Sequence, residues 1–170
     1  MDSISEARLK EIHPYVASKV KELADRLLLE IIEIRVVQGL RTYGYQAQLY
    51  EQGRSTPGNI VTNCKPGHSY HNFGLAVDVC PFVGGKADWD DTHPAWKRIA
   101  DLAVSIGFVA GANFQHFVDK PHLQMTGKFP VNPTDEVRQL FDAGGIVEVW
   151  KASELPDTLT PHFPIDGVDT

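Results

Sequence analysis

The run "LAVDVCPFV", Leu75 to Val83, is apolar except for one carboxylate, Asp78. Small and β-branched residues in such a run read as a buried strand. A carboxylate inside a strand of this kind is costly unless a partner neutralises or coordinates it. Any fold of this chain must therefore bring polar partners to Asp78. Just upstream, "GHSYHNFG" supplies His68 and His71, from a total of only seven histidines. Strand alternation places Ala76, Asp78 and Cys80 on one face and Val77 and Val79 on the other. Gly74 permits a sharp bend that returns His71 over Asp78. Imidazole and carboxylate together suit a metal site, acid–base chemistry, or polar groups satisfying a turn.

One His and one Asp make half a metal site. A catalytic zinc takes three protein ligands and keeps a fourth position for water. The best third candidate lies in "HFVDKPHLQM", where His122 and Gln124 share one face of a short strand and Leu123 and Met125 face the core. Asp119, three residues before His122 and free of the strand, can serve as the general base that takes a proton from the attacking water.

The rest of the chain frames these segments. Ser3-Ile-Ser-Glu6 has capping-box spacing and predicts a helix running towards His13. Pro14 opens a second helix, with Val16, Val20, Leu23 and Leu27 at helical spacing. Alternation of Ile32, Ile34 and Val36 with Glu33, Arg35 and Val37 predicts a strand ended by Gly39. "TYGYQAQLYEQG" reads as a short helix closed by Gly53, and "RSTPGNIVTNCKPGHS" as a long loop. "GGKADWDD" turns the chain after the Asp78 strand, and an amphipathic helix follows His93-Pro94 and stops at Gly107. Asn132-Pro133 opens a last helix through Phe141, stopped by Gly144 and Gly145, and "IVEVW" adds a strand. The class is α+β, a small antiparallel sheet carrying helices on one side. Residues 1–150 form one domain and 151–170 an irregular tail.

Charge and composition narrow the function. A net charge of −6 and a pI near 5.6 oppose a sequence-independent grip on nucleic acid or anionic membrane. The apolar stretch Leu27 to Val37 carries Glu30, Glu33 and Arg35 and is too short to span a bilayer. No secretory pattern opens the chain, so synthesis in the cytoplasm is expected. Two cysteines, Cys64 and Cys80, make no disulfide framework and are expected to be free thiols.

"SYHNFGLAVD" fits the S-x-H-x-x-G-x-A-x-D signature of peptidase family M15. "DKPHLQ" resembles that family's second block, and "VVQGLRTYGYQAQLYEQGR" its upstream arginine segment. The resemblance runs from Val36 to Gln124. It implies a hedgehog/DD-peptidase fold and one zinc ion held by His71, Asp78 and His122. It also implies Asp119 as general base, Arg41 as the cation steadying the substrate carbonyl, and Ser69 as a substrate contact. An aspartate base followed by Lys-Pro-His is most similar to the L-alanyl-D-glutamate endopeptidases, which include bacteriophage endolysins and bacterial wall hydrolases. The chain departs from these where it reads "GFVAGANFQHF", a stretch that is often tryptophan- and glycine-rich in them; this bears on the groove, not on the zinc site.

The resemblance implies a zinc peptidase acting on peptidoglycan stem peptides at the L-Ala–D-Glu bond, and a monomer is the default expectation. A phage member would reach the wall through a holin. The alternatives are a D,D-carboxypeptidase or D-Ala-D-Ala dipeptidase with the same chemistry, and a zinc-stabilised wall-binding module without catalysis. A closed pocket with a cation for a free carboxylate would favour the carboxypeptidase. Outside the motif, Arg41 could pair with a surface carboxylate, and His68 and His116 could line the groove. His13, His93 and His162 are structural, Cys80 is a core residue, and Trp89, Trp96 and Trp150 are packing residues.

Overall fold

The computed structural model describes residues 1–157, which form five α-helices and a small antiparallel sheet. Helix α1 (Ser3–Leu9) starts where the Asp2 carboxylate accepts the Ser5 N–H at 2.8 Å. It ends at Leu9, short of His13, because His13 is used differently: its Nδ1 accepts the Tyr15 N–H and caps α2 (Pro14–Leu28). The capping residue of α1 is thus Asp2 and not Ser3. Val16, Val20, Leu23 and Leu27 of α2 are all fully buried. Each such aliphatic side chain contributes about 1.5–3 kcal/mol to folding.

Strand β1 (Ile34–Gln38) turns Ile34 and Val36 into the core, and α3 (Tyr43–Glu51) is capped by the Thr42 hydroxyl. After the long loop come β2 (Ala76–Val83), β3 (Lys86–Ala87), α4 (Ala95–Ser105), β4 (Val109–Ala110) and β5 (His122–Gln124). The strand order is β1-β2-β5-β4, with β3 paired to the end of β2. Strands β3 and β4 have two residues each, too short to show alternation in the sequence.

Register brings two of the site residues together. Asp78 of β2 stands directly opposite His122 of β5. Opposed residues in an antiparallel pair project to the same face. Val77, Val79 and Leu123, on the other face, are fully buried in the core.

The C-terminal region differs from expectation. Helix α5 (Asp135–Ser153) is two helical stretches in sequence: the first stops where Gly144 and Gly145 leave helical geometry, as the glycines suggest, and a second follows them. Ile146 to Trp150 is helical and not a strand. The i, i+3, i+4 spacing of Ile146, Val149 and Trp150 puts one stripe inward: Val149 is fully buried, and Ile146 and Trp150 close over Gly74. β-branched residues suggest a strand here, and packing against the turn at Gly74 overrides that preference. His162 and most of residues 151–170 lie outside the described residues.

Candidate functional site

His71 is carried on a 3-10 turn, Tyr70–Phe73. The Ser69 hydroxyl caps it by accepting the His71 N–H, and Gly74 closes it in the left-handed region at φ 63°. A Cβ on Gly74 would come within 3.1 Å of Ile146 and 3.2 Å of Trp150, tight contacts that add to the conformational preference for glycine there. The bend does what the sequence suggests: His71 Nε2 stands 3.0 Å from Asp78 Oδ1.

Three ligating atoms converge on one point. His71 Nε2 is 3.2 Å from His122 Nδ1, and His122 Nδ1 is 3.3 Å from Asp78 Oδ1. The outer nitrogens decide the protonation. His71 Nδ1 donates to the Gly39 carbonyl at 2.9 Å, which can only accept. Gln124 donates its Nε2 to the Val131 carbonyl at 2.7 Å, so its Oε1 faces His122 and accepts from Nε2 at 2.9 Å. Neutral imidazoles with their outer nitrogens protonated present bare lone pairs inward. Two lone pairs and a carboxylate then face one another with no hydrogen to share.

A cation is what this donor set fits. Ligands about 2.0–2.1 Å from a tetrahedral zinc stand about 3.3–3.4 Å apart, close to the three distances seen. Outer-shell acceptors on both imidazoles are the arrangement that metal-ligating histidines use. The electrostatics agree. Burial pushes the Asp78 carboxyl up, but His71 and His122 outweigh it and hold it well below the usual carboxylate range. Burial depresses the His122 imidazole, yet hydrogen bonding and charge from Asp78 carry its pKa above the ordinary value. In the metal-free site this charge favours a proton on His122, and a divalent ion would take that proton's place between the lone pairs and the carboxylate.

Arg41 is not engaged with a surface carboxylate. Its Nη1 donates to Gln46 Oε1 at 3.0 Å, and Nη2 reaches Asp78 Oδ2 at 3.5 Å. Its buried Nε has no partner. Gln46, fully buried, is in turn fixed by donating to the Cys64 carbonyl at 2.7 Å. Asp119 lies in the same cleft, and its carboxyl makes no hydrogen bond among the described residues. Burial raises its pKa, the Asp78 charge raises it further, and His122, His71 and Arg41 act in the opposite sense. Its backbone is anchored at both ends, the N–H to the Gly111 carbonyl and the carbonyl to the His122 N–H. A Cβ on Gly111 would sit 2.5 Å from the Asp119 carbonyl oxygen, so this close approach needs glycine.

The cleft has a volume of about 620 Å³, and His68, Ser69 and His116 all line it. Cys80 is buried, pairs across the sheet with Arg35, and stays outside the metal-binding group. Burial pushes its thiol up to about 11, and both cysteines are free. His13 and His93 each accept an N–H at the start of a helix, as structural residues do. Trp96 and Trp150 are packing residues whose indole N–H groups donate to the Asp90 and Phe73 carbonyls. Trp89 is not: it is 58% exposed and lines the cleft. Gln46 and the bridging role of Gln124 escape a reading of the sequence, since nothing in the residue type separates Gln46 from its neighbours Gln48 and Gln52.

Fold and site together define a hydrolase built around a His-Asp-His metal-binding group. The family described as VanY, D-alanyl-D-alanine carboxypeptidase, matches residues 9–123, and the chain belongs to this M15 peptidase family. Among its relatives, the peptidoglycan L-alanyl-D-glutamate endopeptidase CwlK of Bacillus subtilis is 33% identical over 123 residues, covering 68% of this chain and 74% of that protein. The L-alanyl-D-glutamate peptidase of Escherichia phage T5 is 32% identical over 93 residues, covering 54% of this chain and 61% of the phage protein. The L-Ala D-Glu endopeptidase ChiX of Serratia marcescens superposes with a TM-score of 0.54 at 26% identity, covering 74% of this chain and 89% of that chain.

Proposed function

We propose that this protein is a zinc peptidase that hydrolyses the L-alanyl–D-glutamate bond of peptidoglycan stem peptides. Relatives named for that bond support the reading. The observation that carries it over the D,D-carboxypeptidase alternative is the charge of the cleft. Arg41 is the only Lys or Arg among the described lining residues, and its contacts with Asp78 and Gln46 place it beside the metal-binding group. A carboxypeptidase needs a cation for the free C-terminal carboxylate besides the one at the scissile carbonyl, and the described lining residues include no second Lys or Arg.

His71, Asp78 and His122 would hold the ion. When bound, it supplies Lewis acidity, polarising a carbonyl and making water acidic near neutral pH. The chain's own residues do the rest. Asp119, more basic than a free aspartate and with no hydrogen bond to its carboxyl among the described residues, accepts a proton from the attacking water and passes it to the departing D-glutamate nitrogen as the C–N bond breaks. Arg41, oriented by Gln46, steadies the alanyl carbonyl oxygen as negative charge develops on it. Ser69 shapes the turn carrying His71 and reaches the cleft, where it would contact the peptide. Catalysis resides in residues 1–150 of a monomer acting at the cell wall. No helix among the described residues is long and apolar enough to cross a membrane.

Incubation of the zinc-loaded protein with the stem pentapeptide, followed by mass spectrometry, tests this. Free L-alanine with a D-glutamyl tetrapeptide is expected. Release of terminal D-alanine alone would move the protein to the carboxypeptidase branch, and no cleavage with zinc bound would favour a binding module.

A further inference from the structure

Three tryptophans occur in the chain, and they are not used alike. Trp96 and Trp150 are anchored through their indole N–H groups. The Trp89 N–H makes no hydrogen bond among the described residues, and the side chain stays 58% exposed where it borders the cleft. Its ring lies against that of Trp96, with centroids 6.4 Å apart. Phe117, also 58% exposed, lines the cleft as well. Phe114, on the same loop as Phe117, lines it at the metal-binding end, its ring 6.0 Å from that of His122. Exposed aromatic side chains gathered along one cleft are the mark of a binding surface.

The chemistry of the substrate says what such rings could meet, if the L-alanyl–D-glutamate reading holds. Residues of a stem peptide are small (alanine) or charged (D-glutamate, a diamino acid); none offers a large apolar side chain. The alanine amine, however, is acylated by the lactyl group of muramic acid. One residue spans about 3.8 Å and the lactyl unit is as long as one residue, so the sugar begins about 7–8 Å from the bond that breaks. A pyranose ring presents an apolar C–H face that stacks on an aromatic ring, while an indole N–H is left to hydrogen-bond a sugar hydroxyl or acetamido oxygen. N-Acetylmuramic acid with its lactyl carboxyl in amide linkage is neutral, in keeping with described lining residues that include no Lys or Arg besides Arg41.

We infer that Trp89 and Phe117 form a saccharide subsite that receives the muramic acid attached to the alanyl amine. The enzyme therefore recognises glycan-linked stem peptides over free ones. This inference deepens the proposed function and rests on it, so the test separates the two. Zinc-loaded Asp119→Ala protein, which holds substrate without cutting it, is titrated calorimetrically with N-acetylmuramoyl-L-Ala-D-Glu-L-Lys and with N-acetyl-L-Ala-D-Glu-L-Lys. The muramoyl ligand should bind at least tenfold more tightly. Adding Trp89→Ala should shrink that ratio to below threefold, and Trp89→Phe should retain most of it. Equal affinities, or a ratio that Trp89→Ala leaves intact in a folded protein, would overturn the subsite. Release of D-alanine by the wild-type enzyme with the ratio intact would support the subsite and overturn the bond assignment alone.

Discussion

Gln124 joins the metal-binding group to the rim of the cleft, and replacing it gives the sharpest view of how the site is held. Its amide is 3% exposed and makes two hydrogen bonds, accepting from His122 Nε2 at 2.9 Å and donating to the Val131 carbonyl at 2.7 Å. Gln124→Met keeps the volume and removes both. The His122 N–H left unsatisfied in the interior costs about 1–3 kcal/mol, and the carbonyl of the exposed Val131 adds less, so a loss of about 2–4 kcal/mol in metal-free stability is expected. Loss of an outer-shell acceptor weakens metal affinity by about 10–100-fold. Gln124→Glu separates the two bonds: it still accepts from His122 and can no longer donate to Val131. Its zinc affinity should match or exceed that of wild type while its unfolding midpoint in urea falls. Competition with a chromophoric chelator measures affinity, and urea unfolding of the metal-free proteins measures stability. A folded Gln124→Met protein that binds zinc as tightly as wild type would refute the tautomer argument on which the metal centre rests.

Neighbouring residues carry further expectations. Cys80→Ser should keep one zinc per chain by elemental analysis, since the thiol lies outside the metal-binding group, yet lose about 1–3 kcal/mol for a buried hydroxyl without a partner; loss of zinc in that variant would make Cys80 a ligand. Gly74→Ala forces a Cβ into a left-handed position crowded by Ile146 and Trp150, and its thermal midpoint should drop by several degrees, a cost of at least about 1 kcal/mol. An unchanged midpoint would mean that the turn relaxes freely. Asp2→Ala removes the α1 cap and should cost about 1 kcal/mol near neutral pH. Burial pushes the Asp2 carboxyl up, but hydrogen bonds from the Ser5 N–H and Arg35 outweigh it and lower its pKa. A lowered carboxylate stabilises the fold above the unfolded pKa and loses that contribution as pH falls through the folded value. The difference between wild type and Asp2→Ala should therefore shrink as pH drops below about 4; a difference that grows on acidification would reverse the sign of this linkage.

Much of the site is legible in the sequence, and the reason is local. Asp78 advertises itself as a carboxylate in an apolar strand, and His71 lies one bend away across Gly74. His122 is legible because Pro121 and a short alternating run set its face. That Asp78 and His122 are cross-strand partners depends on register, which neither segment carries by itself. The outer shell is less visible. Gln46 and Gln124 do their work through backbone carbonyls at Cys64 and Val131, contacts made by tertiary structure between residues of unremarkable type. The last helix escapes a local reading for a related reason. Glycines at 144 and 145 end the first helical stretch as expected, but burial of Val149 and the indole bond of Trp150 build a second helix beyond them where a strand is expected. Trp89 reads as a packing residue because composition does not distinguish an anchored indole from an open one.

Zinc titration of the metal-stripped protein, followed by cleavage of an N-acetylmuramoyl-L-Ala-D-Glu peptide, bears most directly on the proposed chemistry. Activity should be absent without metal, rise linearly, and break at one ion per chain, with the new amine appearing on D-glutamate. The same titration of Asp119→Ala should show the ion bound and the bond intact. Cleavage by the stripped protein, or full activity in Asp119→Ala, would contradict the assignment of His71, Asp78, His122 and Asp119 to a metal-dependent peptidase.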